Sequence, residues 1–385
     1  MIRSQMKFLK SVFSSTRIRS LEHMVDSDNN IFNEKPIREP VNMKILPNHY
    51  LKQFRAYYPK IVKEITDGKL ITDINAVNDR IALVMDYTVP NGRQTRGSIF
   101  IASYNFITGK NWTSEDERRE IYLLAWCIEL LTSYILIIDD ILDNSEKRRG
   151  KTSWFKIDTV GLNALNDATL IQMSIFKLLY KQLSNHAHYK ELVNVFVEAT
   201  LKTAVGQLMD CDNKNFELFT MNRFNEIAIN KTGYYCFYFP VVLAMFASNR
   251  PDLDFHQSGL EVFKDLGIFY QLQNDYMDCY VGNSGSDIQE KKCSWLLAKA
   301  LEKASPEQKE ILVTHCGKWD TNSVDNVKQV YEELGLRKSF SSEVEESYKK
   351  INEYINTNVK HETSRKLLKR LTQVCLGYKS YLLRE

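Results

Sequence analysis

No proline occurs between Pro90 and Pro240, and that absence constrains the fold more than any other feature of the chain. A proline inside a helix removes a hydrogen bond and crowds the preceding turn, at a cost of about 3 kcal/mol. A long run without one, with apolar residues recurring every three to four positions, is what packed helices leave in a sequence. Glycine is also sparse, 15 in 385 residues. The spacing predicts helices over 48–66, 72–88, 96–107, 115–143, 160–183, 189–211, 222–247, 258–280, 287–303, 306–316, 322–334, 340–357 and 362–383. No segment alternates apolar and polar residues as a strand would. The expected fold is therefore all-α, one domain of packed helices over 46–385, and a 44% hydrophobic content suffices for a large core.

Residues 21–45 are polar, with Asn29, Asn30, Pro36 and Pro40, and read as a linker. The segment before them carries Arg3, Lys7, Lys10, Arg17 and Arg19 with no acid before Glu22, and Ile2, Met6, Leu9 and Phe13 share one helical face. That pattern fits a mitochondrial transit peptide or a plain basic tail, so the expected location is mitochondrial or cytoplasmic. The most apolar run, Tyr122 to Ile138, is interrupted by Glu129, Thr132 and Ser133 and ends in paired aspartates, so no integral membrane segment is expected. Lys and Arg total 51 against 48 acids. That balance gives no general field for a polyanion, and nucleic acid is not an implied partner. Seven cysteines without a CxxC argue against a disulfide framework and a zinc site alike, and the seven histidines show no HExxH.

Asp139, Asp140 and Asp143 form a DDxxD. On a helix these positions are three and four apart, which allows all three carboxylates to converge on one face. They directly follow the apolar run Tyr134–Ile138, which suggests a cavity wall rather than open solvent. The pattern recurs as Asn274, Asp275 and Asp278, again after an apolar helical segment. Two such clusters facing each other make a hard-oxygen site suited to Mg²⁺, which takes a few carboxylates together with substrate phosphate oxygens. Basic residues lie nearby in sequence: Arg148 and Arg149 after the first cluster, Lys291 and Lys292 after the second, Lys231 beside Thr232, and Arg93 and Arg96 in a glycine-flanked turn. Guanidinium forks and ammonium groups bind phosphates. Together with the aspartates they describe a diphosphate held through Mg²⁺.

The stretch from Asp139 through Asp143, Asn144 and Ser145 to Arg148-Arg149-Gly150 resembles the first aspartate-rich motif of the trans-isoprenyl diphosphate synthases, of which farnesyl diphosphate synthase is the best-known type. Gln271-Leu-Gln273-Asn274-Asp275-Tyr-Met-Asp278 is similar to their second motif, the stretch from Gly285 to Trp295 to the segment after it, and Lys231-Thr232-Gly233 to the Lys-Thr pair between. The resemblance spans about 46–385 in consistent order. It implies an orthogonal helical bundle of the isoprenoid synthase type, a homodimer, a prenyl diphosphate substrate and three Mg²⁺ ions per site. By carry-over, Asp139, Asp143 and Lys231 are expected to be catalytic. Asp140, Asn274, Asp275 and Asp278 would be further metal ligands. Arg93, Arg96, Arg148, Arg149, Lys231, Thr232, Gln271 and Lys292 would bind substrate. Bulky Tyr134, with Ile135, would floor a hydrocarbon pocket sized for C10 or C15 chains.

The chain also departs from that pattern. Chain-elongating members bind isopentenyl diphosphate on a Gly-Lys-x-x-Arg turn, where this chain has Arg93 with Arg96 retained. The Gln or His that helps there is Thr132, Asn274 stands where Asp is usual, Asn283 falls about where a diphosphate-binding lysine is expected, and the chain ends Leu-Leu-Arg-Glu rather than in a basic tail. Most departures fall on the isopentenyl site. The pattern is that of insect terpene synthases which resemble this family, and it implies ionisation of farnesyl diphosphate to a sesquiterpene as the first expectation. Chain elongation to geranyl or farnesyl diphosphate is the alternative, and a catalytically silent helical partner is a third reading that the retention of both clusters opposes. Phe100, Tyr104, Tyr134, Phe237, Phe269 and Tyr270 are candidates to face a carbocation or to pack the core.

Overall fold

The computed structural model describes residues 45–68, 70–109, 114–212, 215–281 and 285–376. The basic N-terminus, most of the linker, Asn283 and residues 377–385 lie outside them. Three helices open the described residues: α1 (Asn48–Thr66), α2 (Asn75–Thr88) and α3 (Thr95–Thr108). They surround α4 (Glu115–Leu142). Ser114 starts α4 by accepting the Glu117 N–H, and Glu115, Asp116 and Glu117 fill the first turn, where the helix dipole favours negative charge. Asn144, at φ 51°, ends it. From Ile121 to Ser133 every residue of α4 is buried. By length and composition α4 could cross a membrane, yet 78% of its apolar window is packed inside the molecule, as in a core helix.

A feature the alternation pattern does not predict follows α4. Strands β1 (Lys147–Arg148) and β2 (Lys151–Thr152) pair antiparallel, Arg148 opposite Lys151. Their two-residue turn, Arg149 and Gly150, has φ of 55° and 80°, the double left-handed turn that matches strand twist. The hairpin is too short to register as alternation, and a non-glycine at its first turn position hides it further.

Next come α5 (Ala164–Leu183), α6 (Tyr189–Cys211) and α7 (Met221–Ile227). The helix expected over 222–247 is not uniform. It widens into π turns over Ala228–Tyr238 before resuming as α8 (Phe239–Ala247). Pro240 lacks the N–H that residue 236 would receive and its ring crowds that carbonyl, which wider turns relieve. Glycines fix the neighbours of this segment. A Cβ on Gly206 of α6 would lie 2.4 Å from the Lys231 nitrogen. A Cβ on Gly267 of α9 (Leu260–Tyr276) would lie 2.4 Å from Gly233 Cα. The wide segment is thus clamped between α6 and α9 at backbone distance.

A second π turn, Met277–Val281, follows α9. The helix expected over 287–303 is two, α10 (Ser286–Gln289) and α11 (Trp295–Lys303), because Lys291 sits at φ 55° and Ser294 caps a new start by accepting the Leu297 N–H. Helices α12 (Pro306–His315), α13 (Thr321–Glu333), α14 (Leu336–Asn358) and α15 (Glu362–Leu376) close the bundle. All seven cysteines are free.

Candidate functional site

The first acidic cluster sits at the C-terminal end of α4. Its three carboxylates meet one basic cluster of Arg148, Lys231 and Lys292. Asp140 is buried and turns toward β1, accepting from Arg148 Nε at 2.7 Å. Asp139 shares that same guanidinium, and Asp143 lies on the Lys292 side of the cluster. Asp139 meets Arg148 Nη2 at 2.8 Å and Lys231 Nζ at 3.3 Å, while Asp143 meets Lys292 Nζ at 3.0 Å. Asp143 is the C-cap, and Asp140 lies about a hundred degrees around the helix from Asp139, a gap that the Arg148 fork bridges. Burial pushes the Asp140 carboxyl up, against the pull of Arg148. Burial also acts on Asp139, but Lys231, Arg148 and Lys292 together outweigh it and hold its carboxyl below the usual range.

Lys231 projects from the wide segment and is shared with Asp210 of α6, at 2.7 Å. Burial disfavours its charge, yet Asp210 and Asp139 keep its pKa above that of an ordinary lysine. Lys292 is raised in the same way, burial being outweighed by Asp210, Asp143 and Glu290. Thr232 donates to Gln271 Oε1 at 3.1 Å, so the clamp between the wide segment and α9 ends in a side-chain contact.

In the second cluster the carboxylates turn inward. Asp275 is buried and accepts from Gln271 Nε2 and the Trp295 N–H, both at 2.7 Å. Asp278 accepts from Ser286 Oγ at 2.8 Å and the Asp287 N–H at 3.1 Å. Burial pushes Asp287 well up, with Asp275 and Asp278 adding to it. Asn274 instead lies on the wall of a cavity of about 600 Å³.

That cavity carries the basic residues. Arg93, Arg96, Arg148 and Arg149 border it, with Glu129 as the carboxylate on its wall and Ile99, Leu136, Phe237 and Tyr270 as its apolar side. Gly92 makes room, since a Cβ there would sit 2.6 Å from the Arg149 guanidinium. Arg96 lies 4.1 Å over the Tyr235 ring and donates to Cys236 Sγ at 3.1 Å. Burial lowers the Arg149 pKa, Glu129 opposes this, and Arg96 and Arg148 lower it further. Like charges crowded into one partly dry cavity are what a bound polyanion relieves.

Of the residues singled out in sequence, the structure thus brings Asp139, Asp143, Lys231 and Lys292 together, and Arg93, Arg96, Arg148, Arg149 and Asn274 around one cavity. Thr132 is buried and donates to its own helix, to the Ile128 carbonyl at 3.0 Å. Tyr134 and Ile135 are half-buried against the core, away from the cavity wall. Phe100 and Phe269 are fully buried core residues, whereas Phe237 and Tyr270 reach the cavity. Sequence reasoning missed Asp210 and Glu129. In sequence Glu129 only interrupts an apolar run, although a charge inside such a run is itself a signal of a buried role. Asp210 has no motif, and its clue is Gly206 one turn earlier, which admits the Lys231 backbone.

A family model described as polyprenyl synthetase matches residues 78–334. The chain is 32% identical over 315 residues to a farnesyl pyrophosphate synthase of Gallus gallus, covering 79% of this chain and 86% of that one. It is 35% identical over 320 residues to farnesyl pyrophosphate synthase 2 of Cannabis sativa (80% and 94%) and 34% over 312 residues to the Saccharomyces cerevisiae enzyme (78% and 88%). With that match over most of its helices, from α2 through the basic cavity to α13, this chain belongs to the polyprenyl synthetase family of isoprenyl diphosphate synthases.

Proposed function

We propose that the chain is a prenyltransferase that joins an allylic prenyl diphosphate to isopentenyl diphosphate, giving geranyl or farnesyl diphosphate. The relatives named farnesyl pyrophosphate synthases support elongation over the sesquiterpene-forming reading that the eroded motif first suggests. The observation that carries the proposal is the single cavity bordered by Arg93, Arg96, Arg148 and Arg149, with the Asp139, Lys231 and Lys292 cluster next to it through Arg148. That arrangement offers places for two diphosphates beside one apolar wall.

The residues of the first cluster fit Mg²⁺. Asp139 and Asp143 are hard-oxygen donors, and Asp139 Oδ1 is buried without a hydrogen bond, with Lys231 Nζ as an ion-pair neighbour at 3.3 Å. Bound there, Mg²⁺ would neutralise the leaving diphosphate as a Lewis acid. Arg148, Lys231 and Lys292 then grip the allylic diphosphate and stabilise the charge that gathers on it as the carbon–oxygen bond breaks. Leu136, Phe237 and Tyr270 exclude water from the cation. Arg93, Arg96 and Arg149 hold the second diphosphate so that its double bond lies within reach of that cation. The protein works as a homodimer in this proposal, supported by the exposed apolar row Val197, Leu201, Val205 and Leu208 on α6 beside Leu165, Met173 and Tyr180 on α5.

One observation favours the second reading, a terpene synthase: Thr132 donates to its own helix and lies off the wall of the cavity. Steady-state kinetics on two variants separates them. Thr132→Gln should lower the KM for isopentenyl diphosphate by roughly tenfold, one charge-assisted hydrogen bond, and Arg96→Gln should raise it at least as much, with the allylic KM unchanged. Turnover that ignores isopentenyl diphosphate in the wild type and both variants contradicts the prenyltransferase reading.

A further inference from the structure

In the second acidic cluster all four carboxylate oxygens of Asp275 and Asp278 are engaged by donors of the chain. Asp275 takes Gln271 Nε2 on one oxygen and the Trp295 N–H on the other, and Asp278 takes Ser286 Oγ and the Asp287 N–H. Three of these four donors belong to the segment from Gly285 to Trp295, which also carries Lys292. Within that segment the Lys292 N–H bonds the Asp287 carbonyl at 2.8 Å, and Lys292 Nζ reaches across to Asp143. By contrast, the partners of Asp139 and Asp143 are the side-chain ends of Arg148, Lys231 and Lys292, which a ligand can displace. Backbone N–H groups are not displaced so easily, since an orphaned buried donor is costly. The position of the cluster on the wall of the large cavity is 274, and it holds a neutral amide, whereas Asp275 borders a small cavity of about 70 Å³ beside Lys231 and Lys292.

We propose that the second cluster is an anchor rather than a set of metal ligands: Asp275 and Asp278 are positioning residues that pin the Lys292-bearing segment, and the cations that accompany diphosphate are carried by Asp139 and Asp143, with Asn274 leaving one cation site weak. This rests on the diphosphate-and-Mg²⁺ reading above. The physical argument is charge count. A carboxylate binds a divalent ion through a full negative charge, whereas an amide carbonyl offers a dipole.

The test is Mn²⁺ titration of the full chain with inorganic pyrophosphate as the probe, counting free Mn²⁺ by electron paramagnetic resonance. Asn274→Asp should tighten the weakest Mn²⁺ by roughly ten- to a hundredfold, the range of one charge-assisted contact. Asp278→Asn, and the milder Ser286→Ala in case the first variant does not fold, should keep the wild-type Mn²⁺ count while weakening pyrophosphate binding through a displaced Lys292. An Asn274→Asp isotherm identical to wild type, or loss of a Mn²⁺ in Asp278→Asn or Ser286→Ala, overturns the proposal. If pyrophosphate recruits no Mn²⁺ at all, and Asp139→Asn matches wild type, the reading beneath it falls as well.

Discussion

Glu129 shows how one side chain can hold a charged cavity together. It is 4% exposed on α4, accepts the Gly97 N–H at 2.8 Å, and faces a wall lined by four arginines. Helix α3 begins at Gln94 in a left-handed conformation with no side-chain cap of its own. Glu129 supplies the missing acceptor from another helix, fixing where the turn with Arg93 and Arg96 begins. Burial raises its pKa, while the Gly97 N–H, Arg96 and Arg149 oppose that. Glu129→Ala is expected to destabilise the fold by about 1.5–3 kcal/mol, the worth of a hydrogen bond to a charged group. Urea denaturation measures it, and an unchanged midpoint would remove Glu129 from this role. The types and spacing of Asp139, Asp143, Lys231 and Lys292 were legible in sequence because each lies in a motif. The Arg148 bridge between Asp139 and Asp140 was not, because it depends on a hairpin that sequence periodicity does not reveal.

At the scale of elements, the site depends on two irregularities. The π segment Ala228–Tyr238 carries Lys231 and Thr232, and the break between α10 and α11 presents the Trp295 N–H to Asp275. Helical boundaries such as 48–66 and 189–211 were readable to the residue because apolar periodicity and flanking polar residues agree there. The wide turns were not, because i→i+5 bonding leaves the apolar pattern nearly unchanged over a few residues. Gly267 tests the clamp. Alanine gains about 1 kcal/mol over glycine in a helix interior, but a Cβ there meets Gly233 Cα at 2.4 Å, backbone against backbone. Overpacking costs about 1–3 kcal/mol, so the clash outweighs propensity. Gly267→Ala should therefore lower the denaturation midpoint and, by shifting Lys231 from Asp210, lower turnover as well. A more stable variant with full turnover would show that the close approach is not needed.

For the whole molecule, the proline-free stretch predicts an all-α fold and the structure has one, built around α4 rather than around any feature the composition names. Among the described residues, a row of exposed apolar side chains runs along α6, with Leu201 59% and Leu208 73% exposed. Such a row is costly to leave in water. The double change Leu201→Glu, Leu208→Glu should convert a dimer into monomers by light scattering, and a wild-type chain that is monomeric at micromolar concentration would contradict the dimer. The decision between elongation and simple ionisation also belongs to the whole molecule, since it depends on two anion sites being filled at once across one cavity. Product analysis of the purified chain with Mg²⁺ measures it directly, comparing dimethylallyl plus isopentenyl diphosphates with farnesyl diphosphate alone. The first mixture should yield geranyl or farnesyl diphosphate and the second no hydrocarbon; a volatile C15 product from the second, with no elongation in the first, would contradict the account.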